Sequence, residues 1–246
     1  MLLKKFEDLA PEFQNEDVKK YYDVLKKKTF SLVLKRIFDI VVSMIMLVIL
    51  SPVFLVLAIA IKIDSKGPVF YRQERITQFG KKFRIFKFRT MVANADKIGS
   101  LVTVNNDSRI TKVGKFIRKC RLDEICQLID VFRGAMTFVG TRPEVKKYVD
   151  AYTDEMYATH LLPAGVTSLA SIKYKDEEKL LSGSDDTDGT YINDILPDKM
   201  KYNLEYLEKF GFFYDIKLMF MTVFAVLGKE YVGDREVVQE IEEIKV

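Results

Sequence analysis

The densest concentration of reactive side chains runs Arg118-Lys119-Cys120-Arg121-Leu122-Asp123-Glu124. Adjacent carboxylates behind a run of cations can do two kinds of chemistry at phosphate. One carboxylate can coordinate Mg²⁺, a hard cation that takes oxygen ligands. The other can attack phosphorus and form an acyl phosphate. Neighbouring arginines neutralise a diphosphate and hold it through paired hydrogen bonds. An Asp-Glu dipeptide by itself is ordinarily a solvated helix face with local ion pairs, so its meaning depends on what else the chain brings to it.

Three further cations are candidates for the same phosphate. Arg142 stands in a Gly140-Thr141-Arg142-Pro143 turn, which can present it to an anion. Lys87 and Arg89 end an alternating stretch, Phe83 to Arg89, that reads as a strand with one basic face. Between Lys62 and Arg89 the only acids are Asp64 and Glu74, and between Ile110 and Leu122 there are none. Such a face suits phosphate-bearing substrates and anionic lipid headgroups. His160 is the only histidine and is expected at the surface or an interface. The two cysteines, Cys120 and Cys126, lack metal-site spacing and point to a reducing compartment.

The elements that must position these groups start with an uncharged run from Ile40 to Ile61, broken at Ser51-Pro52. A straight helix of that length would reach about 33 Å, enough for a hydrocarbon core of about 30 Å. Proline removes a backbone donor and clashes with the preceding turn, so the run is expected to kink or break there. Lys35 and Arg36 precede the run, and Lys62 and Lys66 follow it. A single-pass helix carries its basic excess on one side. Basic residues at both ends favour a helix-break-helix that enters and leaves on one face, with the Ser51 hydroxyl serving the broken backbone. A kinked spanning helix is the alternative.

Downstream, Val69 to Arg75 and Phe83 to Arg89 form a hairpin pattern. Residues 91 to 99 read as helix, Asn105 to Ser108 as a loop, and Thr111 to Phe132 as one helix ending near Gly134. A helix to about Leu161 follows the Arg142 turn, Pro163 and Gly165 mark a loop, and 182 to 190 is a solvated loop. Lys199 to Phe210 and Phe213 to Leu227 are amphipathic helices. Residues 1 to 30 read as short amphipathic helices on a membrane or against a partner.

Taken in order, Lys35-Arg36-x-x-Asp39, the run with Ser51-Pro52, Gly67-Pro68-Val69-Phe70, Phe86-Lys87-Phe88-Arg89-Thr90-Met91, Asp107-Ser108-Arg109, Leu122-Asp123-Glu124, Gly134-x-Met136 and Val139-Gly140-Thr141-Arg142-Pro143 resemble the bacterial sugar transferases. These are the monotopic phosphoglycosyl transferases that act on polyprenyl phosphate. The resemblance covers about residues 31 to 228. It implies an α+β, mostly helical fold: a re-entrant membrane helix hairpin over 31–66, held by Lys35, Arg36, Ser51 and Pro52, and a cytoplasmic catalytic domain over 67–228 with a small β-hairpin. Residues 1–30 become an amphipathic extension and 229–246 an acidic tail.

The resemblance also implies the chemistry. Asp123 would attack the β-phosphate of a UDP-sugar and expel UMP, and polyprenyl (undecaprenyl) phosphate would then take the phosphosugar. Glu124 would join Asp123 in binding Mg²⁺ or orient the site, and Arg118 and Arg142 would face phosphate. The expected location is the cytoplasmic face of a bacterial inner membrane, with no nucleic acid partner. The N-terminal segment and apolar helices offer surface for a homodimer. The chain departs from the family in having Ile125-Cys126 where a proline usually follows the dyad, and Thr141 where a proline usually precedes the arginine. Two other readings stay open: a non-catalytic membrane scaffold, and a metal-dependent glycosyltransferase that releases UDP.

Overall fold

A computed structural model describes residues 3–95, 107–174 and 186–226. The acidic tail, half of the helix expected over 91–99 and part of the loop at 182–190 lie outside the described residues. The fold is mostly helical with two small two-stranded sheets.

The N-terminal segment is built into the core. Helix α1 (Glu16–Lys27) is capped by Asn15, whose side chain accepts from the Val18 amide at 2.8 Å. Val18, Tyr21, Tyr22 and Leu25 are buried in the same core as Leu161, Leu207 and Phe210. The apolar face expected to meet a membrane or a partner is therefore consumed within the chain.

Helix α2 (Thr29–Ile49) and helix α3 (Ser51–Asp64) are the two arms of the apolar run, bent by 60° at Leu50. Among the described residues no single helix is long and apolar enough to cross a membrane. Pro52 sits in the first turn of α3, where its missing N–H costs least. The Ser51 hydroxyl donates to the Val48 carbonyl at 2.8 Å, serving a group that the break would leave open. Around the bend Val48, Ile49, Leu55 and Val56 are exposed. Ahead of the bend α2 instead buries a polar row, Lys35, Asp39 and Ser43, at helical spacing.

Strands β1 (Phe70–Ile76) and β2 (Lys82–Phe88) form the expected antiparallel hairpin, with Tyr71 opposite Lys87 and Gln73 opposite Ile85. The single helix expected over Thr111 to Phe132 is corrected. The chain forms α4 (Lys112–Lys119), a 3-10 turn over Leu122–Gln127, and α5 (Leu128–Arg133). The break falls at Arg121, whose φ of 54° is left-handed. Ile117, Cys126, Leu128 and Val131 are buried on both sides of it, so apolar spacing continues through a break it does not report. Gly134 closes α5 at φ 82°, a position that favours glycine.

A second correction concerns residues 136–167. Strand β3 (Met136–Val139) pairs in parallel with β4 (Ala164–Thr167), where a loop was expected. Both are short and mostly buried, so neither shows the alternation that betrays a strand. Between them lie only a helical turn at Lys146–Val149 and a 3-10 turn at Glu155–Leu161. Helices α6 (Leu196–Lys209) and α7 (Phe212–Val226) complete the described chain, α7 packing beside α2 and β3.

Candidate active site

The left-handed turn at Arg121 ends α4 and redirects the backbone so that the 3-10 turn carrying Asp123 and Glu124 packs against β2. Helix α4 is itself fixed at its N-terminus by two side chains. Thr111 accepts from the Gly114 amide at 3.0 Å, and Asp64, the last residue of α3, accepts from the Val113 amide at 2.9 Å. The second arm of the apolar pair thus caps the helix that leads into the site. Leu57 and Ile61 of α3, Phe88 of β2, Ile117 of α4 and Cys126 form a separate core beneath it.

Glu124 is the best-held group of the site. Arg142 donates from Nη1 to Oε2 at 3.1 Å and from Nη2 to Oε1, and Lys87 Nζ donates to Oε1 at 2.9 Å. Burial pushes the Glu124 pKa up, but Arg142 and Lys87 more than offset it and hold the carboxyl well below its ordinary value. Asp123 shifts the other way. Burial raises its pKa, the adjacent Glu124 charge raises it further, and Lys87 and Arg118 only partly oppose. Two adjacent carboxylates in unlike electrostatic environments shift in opposite directions: Glu124 is held as an anion among cations, and Asp123 is pushed toward its neutral form.

Asp123, Glu124, Arg118, Arg142 and Lys87 line one cleft of about 960 Å³. Arg89 borders the cleft, and its two terminal nitrogens are turned to the end of α3, while its buried Nε has no partner among the described residues. The residue is buried, and its Nη2 donates to Ser65 O at 2.7 Å and Ser65 Oγ at 3.0 Å, its Nη1 to Lys66 O at 3.2 Å. Arg89 thus clamps the C-terminal end of α3 at the edge of the cleft where a phosphate contact was expected of it.

The basic residues before the apolar run also do structural work. Lys35 is 2% exposed, donating to Asp215 Oδ2 at 2.5 Å and Val139 O at 2.8 Å. Arg36 donates to the last carbonyls of α5, Val131 O at 2.7 Å and Phe132 O at 2.8 Å. Asp39 accepts from Thr137 Oγ1 at 2.7 Å and the Phe138 amide at 3.2 Å, pinning β3 to α2. His160 is 5% exposed and stacks on Tyr152, which corrects the expected surface position. Burial lowers its pKa to about 4, so it is neutral and lies outside the cleft lining.

Several residues went unread in the sequence. Asp130 on α5 accepts from the Phe86 amide at 2.8 Å and fixes β2 beside the 3-10 turn; burial pushes its pKa up to about 6. Gln73 and Arg75 share the Lys87 face of the hairpin and line the cleft. The alternation of β1, once registered against β2, carried that signal. Behind them Glu144 accepts from Tyr191 Oη at 2.5 Å, and Lys199 Nζ donates to the same hydroxyl at 3.0 Å. Among the described residues no three His, Cys, Asp or Glu side chains cluster as a metal cage.

A carboxylate pair ringed by cations thus lies beside a broken apolar helix pair whose bend is exposed. The chain belongs to the bacterial sugar transferase family, whose family model matches residues 30–229. It is 36% identical over 173 residues to the UDP-glucose:undecaprenyl-phosphate glucose-1-phosphate transferase of Escherichia coli (strain K12), covering 68% of this chain and 34% of the relative. It is 33% identical over 174 residues to the UDP-N-acetylgalactosamine-undecaprenyl-phosphate N-acetylgalactosaminephosphotransferase of Aeromonas hydrophila, covering 69% and 38%. The sugar transferase EpsL of Bacillus subtilis (strain 168) is 33% identical over 175 residues, covering 70% and 75%. The matched segment thus spans only about a third of the first two relatives.

Proposed function

We propose that the chain transfers a sugar 1-phosphate from a UDP-sugar to undecaprenyl phosphate and releases UMP. The observation that carries this reading is the opposed state of Asp123 and Glu124 in a cleft lined by Lys87, Arg118 and Arg142. The names of the relatives, which cite UDP-sugars and undecaprenyl phosphate, support the substrate pair.

Asp123 is the nucleophile. Its carboxylate oxygen forms a bond to the β-phosphorus while the bond from that phosphorus to the bridging oxygen breaks, and UMP leaves with the bridging oxygen. A phosphate oxygen of the lipid then attacks the same phosphorus and returns Asp123 to a carboxylate. Glu124 stays ionised and keeps Lys87 and Arg142 aimed where charge builds on the transferring phosphoryl group. Arg118 counters the remaining phosphate charge.

Mg²⁺ ordinarily binds through one or two carboxylates together with substrate phosphates and waters. Asp123 and Glu124 fit that donor set, and they are the residues that would hold it. The ion would supply charge neutralisation at the diphosphate.

The apolar pair acts as a re-entrant anchor. From Ile40 to the bend, α2 reaches about 15 Å, half of a hydrocarbon core of about 30 Å. Both arms then return to the cytoplasmic face, where Asp64 and Arg89 join α3 to the site. This puts the nucleophile at the depth of a lipid phosphate while the cleft stays open to a soluble nucleotide.

The test is product identity. Purified protein with a UDP-sugar panel, undecaprenyl phosphate and Mg²⁺ is expected to release UMP, and Asp123→Asn is expected to abolish release while membrane association persists. UDP as the product, or activity retained in Asp123→Asn, overturns the assignment.

A further inference from the structure

The cleft extends past the carboxylate pair along the hairpin. On β1, Gln73 and Arg75 point to the same face, as residues two apart in a strand must. Arg75 donates to Gln73 Oε1 from Nη2 at 2.7 Å and from Nε at 3.2 Å. It also donates from Nη1 to the Pro143 carbonyl at 3.1 Å, next to Arg142. Arg75 is held in turn by Glu144, whose Oε2 lies 3.8 Å from Nη1. Glu144 is 7% exposed and is fixed by Tyr191 and Lys199.

This arrangement sets the polarity of an amide. A guanidinium has only donors, so the Gln73 atom facing Arg75 must be oxygen. The Gln73 nitrogen, with two N–H groups, is then turned away from Arg75, and it has no partner among the described residues. Gln73 is half-buried on the cleft wall, so those donors are open to whatever enters. The cations that line the cleft next to Gln73 are engaged, Arg75 as above and Arg72 and Arg84 with each other's backbone carbonyl. A neutral donor among engaged cations suits a neutral acceptor, a carbonyl or hydroxyl oxygen.

We infer that Gln73 is a substrate-contacting residue that donates its amide N–H to a neutral acceptor oxygen on the nucleoside or sugar part of the nucleotide sugar, and that Arg75 is the positioning residue that orients it. The inference rests on the function proposed above. It also gives Arg75 a second effect, because the same guanidinium steadies the Pro143 carbonyl behind Arg142.

The test uses the full chain in detergent or nanodiscs. Gln73→Met keeps the length of the side chain and removes its donors. It is expected to raise KM for the UDP-sugar roughly tenfold with kcat and the KM for undecaprenyl phosphate within about twofold, the pattern of lost uniform binding. UMP binding to the free protein, measured directly, separates the two acceptors. Affinity weakened in parallel puts the acceptor on the nucleoside; unchanged affinity with raised KM puts it on the sugar. Arg75→Lys is expected to raise the same KM, and adding Gln73→Met to it is expected to have little further effect, since an unoriented amide has little left to lose. UDP-sugar KM and UMP affinity both within twofold of wild type in Gln73→Met, or a rise confined to the KM for undecaprenyl phosphate, overturn the inference. If wild-type protein releases no UMP, the underlying reading fails and this falls with it; wild-type release with unchanged Gln73→Met constants sinks only the present inference.

Discussion

Arg142 grips both carboxylate oxygens of Glu124, and Lys87 also donates to one of them, Oε1. The pairing leaves Asp123 beside a fixed anion, in a setting that favours its neutral form more than water would. From this follows a pH dependence with a definite sign. Asp123 attacks only when ionised, so the acid limb of UMP release should lie above its ordinary value of 3.8. Glu124→Gln removes the neighbouring negative charge and frees Lys87 and Arg142, and both changes favour the Asp123 anion. The acid limb should therefore move to lower pH, while the maximal rate falls on the order of 10²–10³-fold because the cations lose their fixed positions. A rapid-quench UMP measurement across pH decides it; a limb that stays put or moves up means the two carboxylates are not coupled.

The ion pair of Lys35 and Asp215 joins α2 to α7 out of contact with water, at 3% and 5% side-chain exposure. Removing Lys35 leaves the buried Asp215 carboxylate without its countercharge, with the Tyr206 hydroxyl as its remaining donor. Lys35→Met should cost about 3–5 kcal/mol, and adding Asp215→Leu should recover much of that loss. Thermal unfolding in one detergent, single against double variant, is the measurement. Equal or additive losses would show that the pair acts independently.

His160 is neutral in the fold, with its pKa lowered from 6.5 to about 4 by burial. A depressed pKa means that the unfolded chain binds the proton more readily. Stability is then fully present above pH 6.5 and drains away as pH falls toward 4, by about 3 kcal/mol in total. His160→Phe, which keeps a ring against Tyr152, should lack that loss. Urea unfolding at pH 7 and pH 4.5 should show the wild-type advantage shrinking at the lower pH; a constant difference would rule the histidine out as its source.

The re-entrant path is tested by labelling. Exposed Cys120 is replaced by serine, buried Cys126 is kept, and single cysteines are placed at Phe30 and Pro68. An impermeant thiol reagent on sealed vesicles should reach both positions from the same side. Labelling from opposite sides would establish a kinked spanning helix.

How much was legible in the sequence depended on whether a signal was local. The Ser51-Pro52 break, the hairpin and the carboxylate pair each arise from residues adjacent along the chain, and each was readable there. The buried contacts of Arg89 and Lys35 were not readable, because their partners lie far along the chain at Ser65 and Asp215. The parallel pair of β3 and β4 was missed for a related reason: buried strands of this length have no period to detect.

By itself, then, the sequence determined that a broken apolar helix precedes a basic hairpin and an Asp-Glu pair, because proline, charge and apolar spacing act within a few residues. Only the tertiary structure decided which carboxylate is held and which is free. That difference comes from Lys87 and Arg142, brought to Glu124 from β2 and from the turn after β3, and from the left-handed Arg121 that aims the pair at them. Electrostatic character depends on distance in space, and the residues that set it here are separated along the chain.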